Sequence, residues 1–117
     1  MYNGQLFFNR ARCAFGKEVF PVNLFDYPKG AFPEEITTVL EENETIRIEK
    51  IVSCGQTSGW YDQEENEWVL LLKGEAELEF ETHKTRLAPG EYLVIPKHTR
   101  HRVLKTTQCI WLCMFYR

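Results

Sequence analysis

The chain has 117 residues, with 14 Lys and Arg against 17 Asp and Glu, which gives a net charge of -3 at pH 7. This length suits one domain with a single core, and a mild acidic balance without clustered basic residues argues against a nucleic-acid surface. The longest apolar run, residues 109–116, is too short to cross a bilayer, so we expect a soluble protein. The N-terminus lacks the long apolar stretch of a secretory signal, which makes the cytoplasm the default location.

The first 22 residues contain short phenylalanine-rich segments, and we predict one or two short strands or an extended arm there. Exposing so many phenylalanines on a monomer would be costly. The arm is therefore expected to pack against a barrel edge or a second subunit, which favours a homodimer. A brief strand over Val22–Phe25 is predicted to follow, between two prolines.

A short helix is predicted next, beginning at Pro33. Proline needs no amide partner in the first helical turn, and the following carboxylates of Glu34 and Glu35 suit the positive end of a helix. Apolar side chains at positions 36, 39 and 40 then fall at i, i+3 and i+4, which would give the helix one apolar face.

From Thr45 the apolar period changes to two, which predicts a half-buried strand with Arg47, Glu49 and Lys50 on its outer face. Further short strands are predicted over residues 68–72, 76–80, 92–95, 103–104 and 109–116, with turn signals between them. Strands at a spacing of roughly eight to twelve residues are typical of an antiparallel barrel or sandwich. The predicted fold class is therefore all-β, with one short helix before the barrel.

The four cysteines, at positions 13, 54, 109 and 113, form no CxxC pair and are predicted to be buried, reduced thiols. Cys109 and Cys113 share one face of the last strand. A disulfide between them is disfavoured, because residues i and i+4 of a strand lie about 13 Å apart.

Two spacings in the barrel region resemble the motifs of the cupin superfamily. Glu67 is followed after six residues by Gly74, and Gly90 is followed by Pro96 and then by His101. The resemblance runs from residue 53 to about residue 114 and implies a double-stranded β-helix, or jelly-roll, barrel. It implies one domain over residues 1–117, with an arm over 1–22 and the barrel over about 45–116.

Members of that superfamily usually hold a metal through three histidines and one glutamate. Here the two histidine positions of the first motif hold Tyr61 and Gln63, so only Glu67 and His101 remain of the four usual ligands. The resemblance implies a set of Gln63, Glu67 and His101 for a divalent metal such as Mn, Fe or Zn. Alternatively, Glu67 is hydrogen-bonded to His101 or Arg102 as a polar plug in the barrel mouth.

Glu67 and His101 are also the candidate catalytic residues, because an imidazole titrates near neutral pH and a contacting carboxylate would orient its ring. The candidate ligand-binding residues carry aromatic, imidazole or guanidinium groups: Tyr61, His98, Arg100 and Tyr92. For each kind of group, a purely structural role is the alternative to ligand binding. A histidine after a proline suits a solvated loop, an arginine suits an outer-face salt bridge to the Glu75, Glu77 and Glu79 row, and an aromatic ring suits the core.

Two functional hypotheses follow from the resemblance. The first is a metal-dependent enzyme that acts on a small carboxylated or sugar-like molecule in the barrel mouth. The second is a module that binds or senses a small molecule without metal or catalysis. The fold cannot decide between them, because one fold hosts many chemistries.

Overall fold

The structure is a computed structural model that describes residues 18–117 of the chain. Eight strands follow one another: β1 (Ile36–Glu42), β2 (Ile46–Cys54), β3 (Asn66–Lys73), β4 (Ala76–Phe80), β5 (Lys84–Leu87), β6 (Tyr92–Ile95), β7 (His101–Thr106) and β8 (Gln108–Tyr116). Within this range there is no helix, and therefore none long and apolar enough to span a membrane.

The strands form two antiparallel sheets. The larger sheet has the order β1-β2-β8-β3-β6 and the smaller one the order β5-β4-β7. Strands that are neighbours in a sheet are often distant in sequence, as with β2 and β8, which pair over nine residues from Ile46↔Tyr116 to Cys54↔Gln108. This arrangement confirms the predicted all-β jelly-roll barrel.

The core lies between the two sheets. Alternate residues of β3 and β8 face it, because successive side chains of a strand point to opposite sides. Val69 and Leu71 of β3 lie opposite Cys113 and Trp111 of β8, and all four side chains are buried. The smaller sheet contributes three buried apolar side chains to the same cluster: Ala76, Leu78 and Leu87.

The predicted helix after Pro33 is wrong, because residues 36–42 form strand β1. The run Ile36-Thr37-Thr38-Val39 consists of β-branched residues, which fit a pleated strand better than a helix. Pairing with β2, from Ile36↔Val52 to Glu42↔Arg47, satisfies the backbone of this segment. The larger sheet thus begins before residue 45.

The predicted orientation of β2 is also wrong for two of its charged residues. Arg47 and Glu49 lie opposite Phe115 and Cys113 of β8, on the side that faces the barrel interior. Lys50 occupies the outer face but is buried, since its ammonium donates to the backbone carbonyl of Asp26. The chain before β1 therefore covers part of this outer face.

The predicted N-terminal arm falls mainly on residues 1–17, outside the described part of the chain. Residues 18–35 form no regular element, and the predicted strand over Val22–Phe25 is wrong. The Asn23 side chain accepts a hydrogen bond from the amide of Phe25, and the Asn23 carbonyl accepts one from Asp26. These bonds make a turn, because an asparagine side chain can mimic a backbone turn acceptor.

Candidate functional site

A pocket of about 270 Å³ opens between the two sheets. Its wall is built mainly from β2, β3 and β8, whose inward residues alternate with outward ones. Charged and polar side chains line it together with apolar and aromatic ones: Glu35, Thr37, Arg47, Glu49, Ile51, Tyr61, Gln63, Glu67, Val69, Leu78, Ile95, His101, Val103, Trp111, Cys113 and Phe115. Ligand pockets typically measure about 300 to 1,000 Å³, and this one lies just below that range, so it suits only a small molecule.

Glu67 and His101 meet in this pocket. Glu67 is the second residue of β3 and faces inward between Phe115 and Ile95, whereas His101 begins β7 in the other sheet. The nearest Glu67 oxygen, Oε1, lies 3.7 Å from His101 Nε2, and the two side chains are only 11% and 4% exposed. The structure thus brings together the two residues that the motif spacing singled out.

The backbone and its neighbours fix the ring of His101. Nδ1 lies 2.7 Å from the carbonyl oxygen of Thr99, which can only accept, so Nδ1 carries a proton. Tyr61 and His101 exchange two backbone hydrogen bonds, and the rings of Tyr61 and Phe80 flank the imidazole with centroids 5.5 and 5.9 Å away. Nε2 is therefore the nitrogen that can gain or lose a proton in the pocket.

Burial raises the pKa of the Glu67 carboxyl above its usual range. The Gln63 amide, whose Nε2 lies 3.2 Å from Glu67 Oε1, and the neighbouring His101 stabilise the charged form and offset only part of this shift. The thiol of Cys113 also lies beside Glu67. Burial raises the pKa of that thiol well above its usual value, so the thiol stays protonated and acts as a donor.

A second carboxyl, Glu35, also enters the pocket, and the sequence reasoning missed it. Burial raises the pKa of Glu35, Glu67 raises it further, and the Ser53 hydroxyl opposes the shift. Ser53 is fully buried and accepts a hydrogen bond of 2.6 Å from the indole nitrogen of Trp111, so its own proton is available to Glu35. The wrong helix prediction had assigned Glu35 to the first turn of a helix, where its carboxylate needed no other role.

Arg47 is the arginine of the pocket lining, and it is engaged by two carboxylates. Its Nε donates to Glu49 at 2.7 Å, and its two terminal nitrogens form a fork with the carboxylate of Glu65 at 3.0 and 3.1 Å. The guanidinium also lies 4.5 Å from the ring centroid of Phe115. The two carboxylates bring two negative charges to the one positive charge of Arg47, so the cluster as a whole does not attract an anionic ligand.

Of the four predicted ligand-binding residues, the structure places Tyr61 in the pocket wall. Its phenol stays protonated at neutral pH, because burial raises the pKa of Tyr61 above its usual value. His98 lies outside the pocket on the surface, where it is exposed and its Nδ1 lies 3.0 Å from Asp62. This position agrees with the alternative of a solvated loop residue.

Arg100 and Tyr92 also lie outside the pocket. The Arg100 guanidinium stacks 4.5 Å from the Trp60 ring and faces Glu81, and the neighbouring Arg102 pairs with Glu79 on the outer face. Tyr92 is 58% exposed, because its pairing with Leu70 of β3 directs it to the outer face of the larger sheet. Tyr92 therefore does not line this pocket, and its role in ligand binding stays a prediction.

The residues present do not fit a metal centre. Within residues 18–117, His, Cys, Asp and Glu form no group of three or more that could hold a metal ion. The predicted third ligand, Gln63, turns its amide nitrogen toward Glu67, whereas a metal would need the amide oxygen. Of the predicted metal ligands, one carboxyl and one imidazole therefore remain as donors.

The cysteines in the described part of the chain are free thiols, as predicted. Cys109 and Cys113 are buried on the inward face of β8, and Cys54 is partly buried at the end of β2. Cys13 lies outside the described residues.

The chain is similar to several proteins of known structure. A crystal structure from Ralstonia eutropha JMP134, named a "putative mannose-6-phosphate isomerase", is 40% identical to this chain with a TM-score of 0.78, and the match covers 83% of this chain and 97% of that one. A cupin superfamily protein from Desulfitobacterium hafniense is 19% identical, with a TM-score of 0.70 and coverages of 76% and 83%. The KdgF protein from a Halomonas species is also 19% identical, with a TM-score of 0.66 and coverages of 82% and 93%.

The search of the curated proteins gives no match to this chain. The cupin domain family matches residues 48–115, which include β3, β7 and the Glu67–His101 pair. Since this match covers more than half of the chain, the protein belongs to the cupin domain family.

Proposed function

We propose that this cupin is an enzyme that moves protons on a small, hydroxyl-rich, sugar-like molecule, with Glu67 and His101 as its acid–base pair. The observation that carries the proposal is the meeting of these two buried groups in one pocket, with His101 Nε2 3.7 Å from Glu67 Oε1. A general base needs a fixed orientation and an available lone pair, and the bond from Nδ1 to Thr99 provides both for Nε2.

The raised pKa of Glu67 suits it to the complementary role of proton donor. On a hydroxy-carbonyl compound, Nε2 of His101 would take a proton from the carbon next to the carbonyl while protonated Glu67 gives one to the carbonyl oxygen. His101 then returns its proton to the former carbonyl carbon of the enediol while the Glu67 carboxylate takes the proton of the neighbouring hydroxyl, which exchanges aldose for ketose and restores both residues. Atoms and electrons balance without an external oxidant or reductant.

The charges in the pocket favour the sugar-like over the carboxylated substrate class. Arg47 is shared between Glu49 and Glu65, whose two negative charges exceed its one, and Glu35 is a further acidic group in the pocket. A carboxylate inside this pocket would meet like charges at short range. The relative from Ralstonia, whose name refers to a sugar phosphate isomerase, supports the same class, although a phosphate would have to stay outside this pocket.

The proposal is tested by hydrogen exchange in D₂O. Glucose, mannose, fructose and mannose 6-phosphate are incubated with the protein, and NMR follows the loss of the proton next to the carbonyl. We expect exchange on at least one sugar, and a fall of about 100-fold or more in His101→Gln, a size typical of a lost general base. The exposed His98→Asn variant is the matched control and should stay within about twofold, since surface changes have small effects.

A non-catalytic binding module is the second candidate, and the observation that favours it is the presence of Tyr61 and Gln63 where the family motif has histidines. Such a module would show chemical-shift changes or thermal stabilisation with a sugar but no exchange of its protons. Binding of a sugar without exchange of its proton would therefore support the binding module and contradict the enzyme. Exchange that persists unchanged in His101→Gln would contradict the proposed acid–base pair.

A further inference from the structure

A second cavity lies at the opposite end of β7 from the Glu67–His101 pair. Its volume is about 350 Å³, which falls within the usual range of ligand pockets. The last residues of β7 line this cavity, whereas the first residues of the strand, among them His101, line the pocket described above. The two cavities share no lining residue, so a ligand in the second one would not meet the acid–base pair.

A β-bulge in β7 directs a lysine to this second cavity. Glu77 of β4 lies opposite Lys105 in the strand register. The next residue of β4 lies opposite Val103, so Leu104 is an extra residue in β7. Without the bulge, Lys105 would point to the same side as Val103, into the barrel, because alternate side chains of a strand share a face. The bulge instead places Lys105 on the outer face beside Glu77.

A second cation, Arg86 of β5, lies on the other side of Glu77. The half-buried Glu77 is thus opposite one cationic residue on each neighbouring strand, Arg86 on β5 and Lys105 on β7. Within residues 18–117, none of these three side chains forms an ion pair or a hydrogen bond. Two residues further along β4, by contrast, Glu79 accepts bonds of 2.7 and 2.8 Å from Arg102. The three unpaired groups keep their full capacity to bind a ligand.

The wall beside these charges is held in place by hydrogen bonds. The loop after β2 is fastened to β7 twice, since the Gly55 amide donates to Thr106 Oγ1 at 2.9 Å and Thr57 Oγ1 donates to the Leu104 carbonyl at 3.0 Å. Thr106 accepts in its bond, so its own proton remains available, and the oxygen of Thr57 can still accept. Both threonines line the cavity, which therefore offers neutral donors and acceptors besides its charges.

The signs of the charges indicate the kind of ligand. With the carboxylate of Glu75, the lining contains two negative and two positive groups. A ligand that carries one sign of charge would meet repulsion as well as attraction, whereas a ligand that carries both signs can pair each charge with an opposite one. Opposite residues on adjacent strands have Cβ atoms about 5 Å apart, so the two charges of such a ligand must lie close together.

We infer that this cavity binds a small zwitterion, whose ammonium group lies against Glu77 and whose carboxylate lies against Arg86 and Lys105. Ion pairs between exposed side chains contribute little stability, so any pairing of these cations with Glu77 in the free protein is replaced by the ligand at little cost. The site is separate from the proposed acid–base chemistry and does not depend on it.

Three probes of similar size but different charge test this inference: β-alanine, propionate and propylamine. Each is titrated into the full chain at pH 7, and NMR follows the backbone amides of the residues that line the second cavity. β-Alanine should bind about tenfold more tightly than either singly charged probe, because it gains one more charge-assisted pair. Added salt should reduce this preference, because ions screen exposed charges.

Variants that remove the charges of the cavity assign the preference to its residues. Glu77→Gln should lower the affinity for β-alanine to about that of propionate, and the double variant Arg86→Gln, Lys105→Gln should lower it to about that of propylamine. Lys84→Gln is the matched control, since Lys84 is an exposed cation of β5 that does not line the cavity, and its affinity should stay within about twofold of the wild type.

Three outcomes would overturn the zwitterion site. They are equal affinity for the three probes, no shift of the lining amides at about 100 mM β-alanine, and a loss in Lys84→Gln as large as that in Glu77→Gln. Each of them leaves the proposed acid–base pair standing, because that pair is tested by the exchange of sugar protons in D₂O.

Discussion

The burial of Glu67 lowers the stability of the fold but places a carboxyl group in the pocket. It lies on a strand whose inward neighbours are apolar, with Phe115 on one side and Ile95 on the other. Burying a carboxylate is unfavourable unless charges or donors compensate, and here the donors are a neutral amide and a neutral thiol. A group kept in this setting at a cost to stability is a candidate for function, because perturbed carboxyls concentrate at active sites.

The cost should be visible in the pH dependence of unfolding. Burial raises the pKa of Glu67 in the folded state, so the folded protein keeps a proton that the unfolded chain has released. Stability is therefore highest below the unfolded value of about 4.5 and falls as the pH rises through the higher folded value. Glu67→Gln removes this loss, so we expect the variant to gain stability relative to the wild type with rising pH, by about 1 kcal/mol near pH 8.

Urea unfolding of both proteins at pH 5, 6, 7 and 8 measures the effect. Glu77→Gln is the control, since it removes a carboxyl from the outer face of β4 and should give a difference that does not change with pH. A difference between Glu67→Gln and wild type that stays constant, or that shrinks with rising pH, would contradict the assigned direction of the pKa shift.

At the scale of elements, β4 and β8 could be predicted from sequence and β1 could not. The alternation Ala76, Leu78, Phe80 against glutamates fits only a period of two, and the nearly continuous apolar run of β8 is typical of a strand covered on both faces. In β1 the spacing of Ile36, Val39 and Leu40 also fits a helix. Pairing with β2, which no local pattern reveals, decides the outcome.

The turn between β3 and β4 depends on Gly74. Its φ is +89°, and a Cβ there would lie 2.4 Å from the carbonyl oxygen of Gln108 and 2.7 Å from Cys109 Sγ. The backbone oxygen cannot move without disturbing the start of β8, so the contact adds to the strain of the left-handed conformation. Gly74→Ala should lower the free energy of unfolding by about 3 kcal/mol or more.

Gly90 provides a matched control, because its φ is also +89° but nothing lies within 4 Å of a Cβ at that position. Gly90→Ala should lose only the backbone strain, about 1 to 2 kcal/mol. Urea unfolding of the two variants compares the two costs. Equal losses would show that the contact with Gln108 and Cys109 is relieved at no cost.

At the scale of the whole molecule, the site was predictable only in part. Glu67 and His101 follow from motif spacing, since Glu67 precedes Gly74 and His101 follows Pro96 at fixed intervals. Glu35 and Tyr92 do not, because their positions depend on residues distant in sequence. The Glu35 side chain is hydrogen-bonded to Ser53 of β2, and Tyr92 pairs with Leu70 of β3. Long-range register therefore decides which side chains reach the pocket.

The outer face of the larger sheet supports the prediction of a homodimer. Tyr92 and Val94 on the edge strand β6 are 58% and 53% exposed, and the segment before β1 exposes Phe20 and Phe25 to a similar extent. Exposed apolar side chains on a sheet edge commonly mark a protein interface. We expect the wild type to sediment at twice the 13.8 kDa mass of the chain.

Val94→Lys tests this expectation, because a charge on an edge strand opposes pairing between copies. The variant should sediment as a monomer at micromolar concentration while its circular dichroism spectrum stays that of the wild type. Lys84→Ala, on the edge strand β5 of the smaller sheet, is the control and should remain a dimer. A monomeric wild type, or a Val94→Lys variant that still dimerises, would show that the outer face of β6 is not the interface.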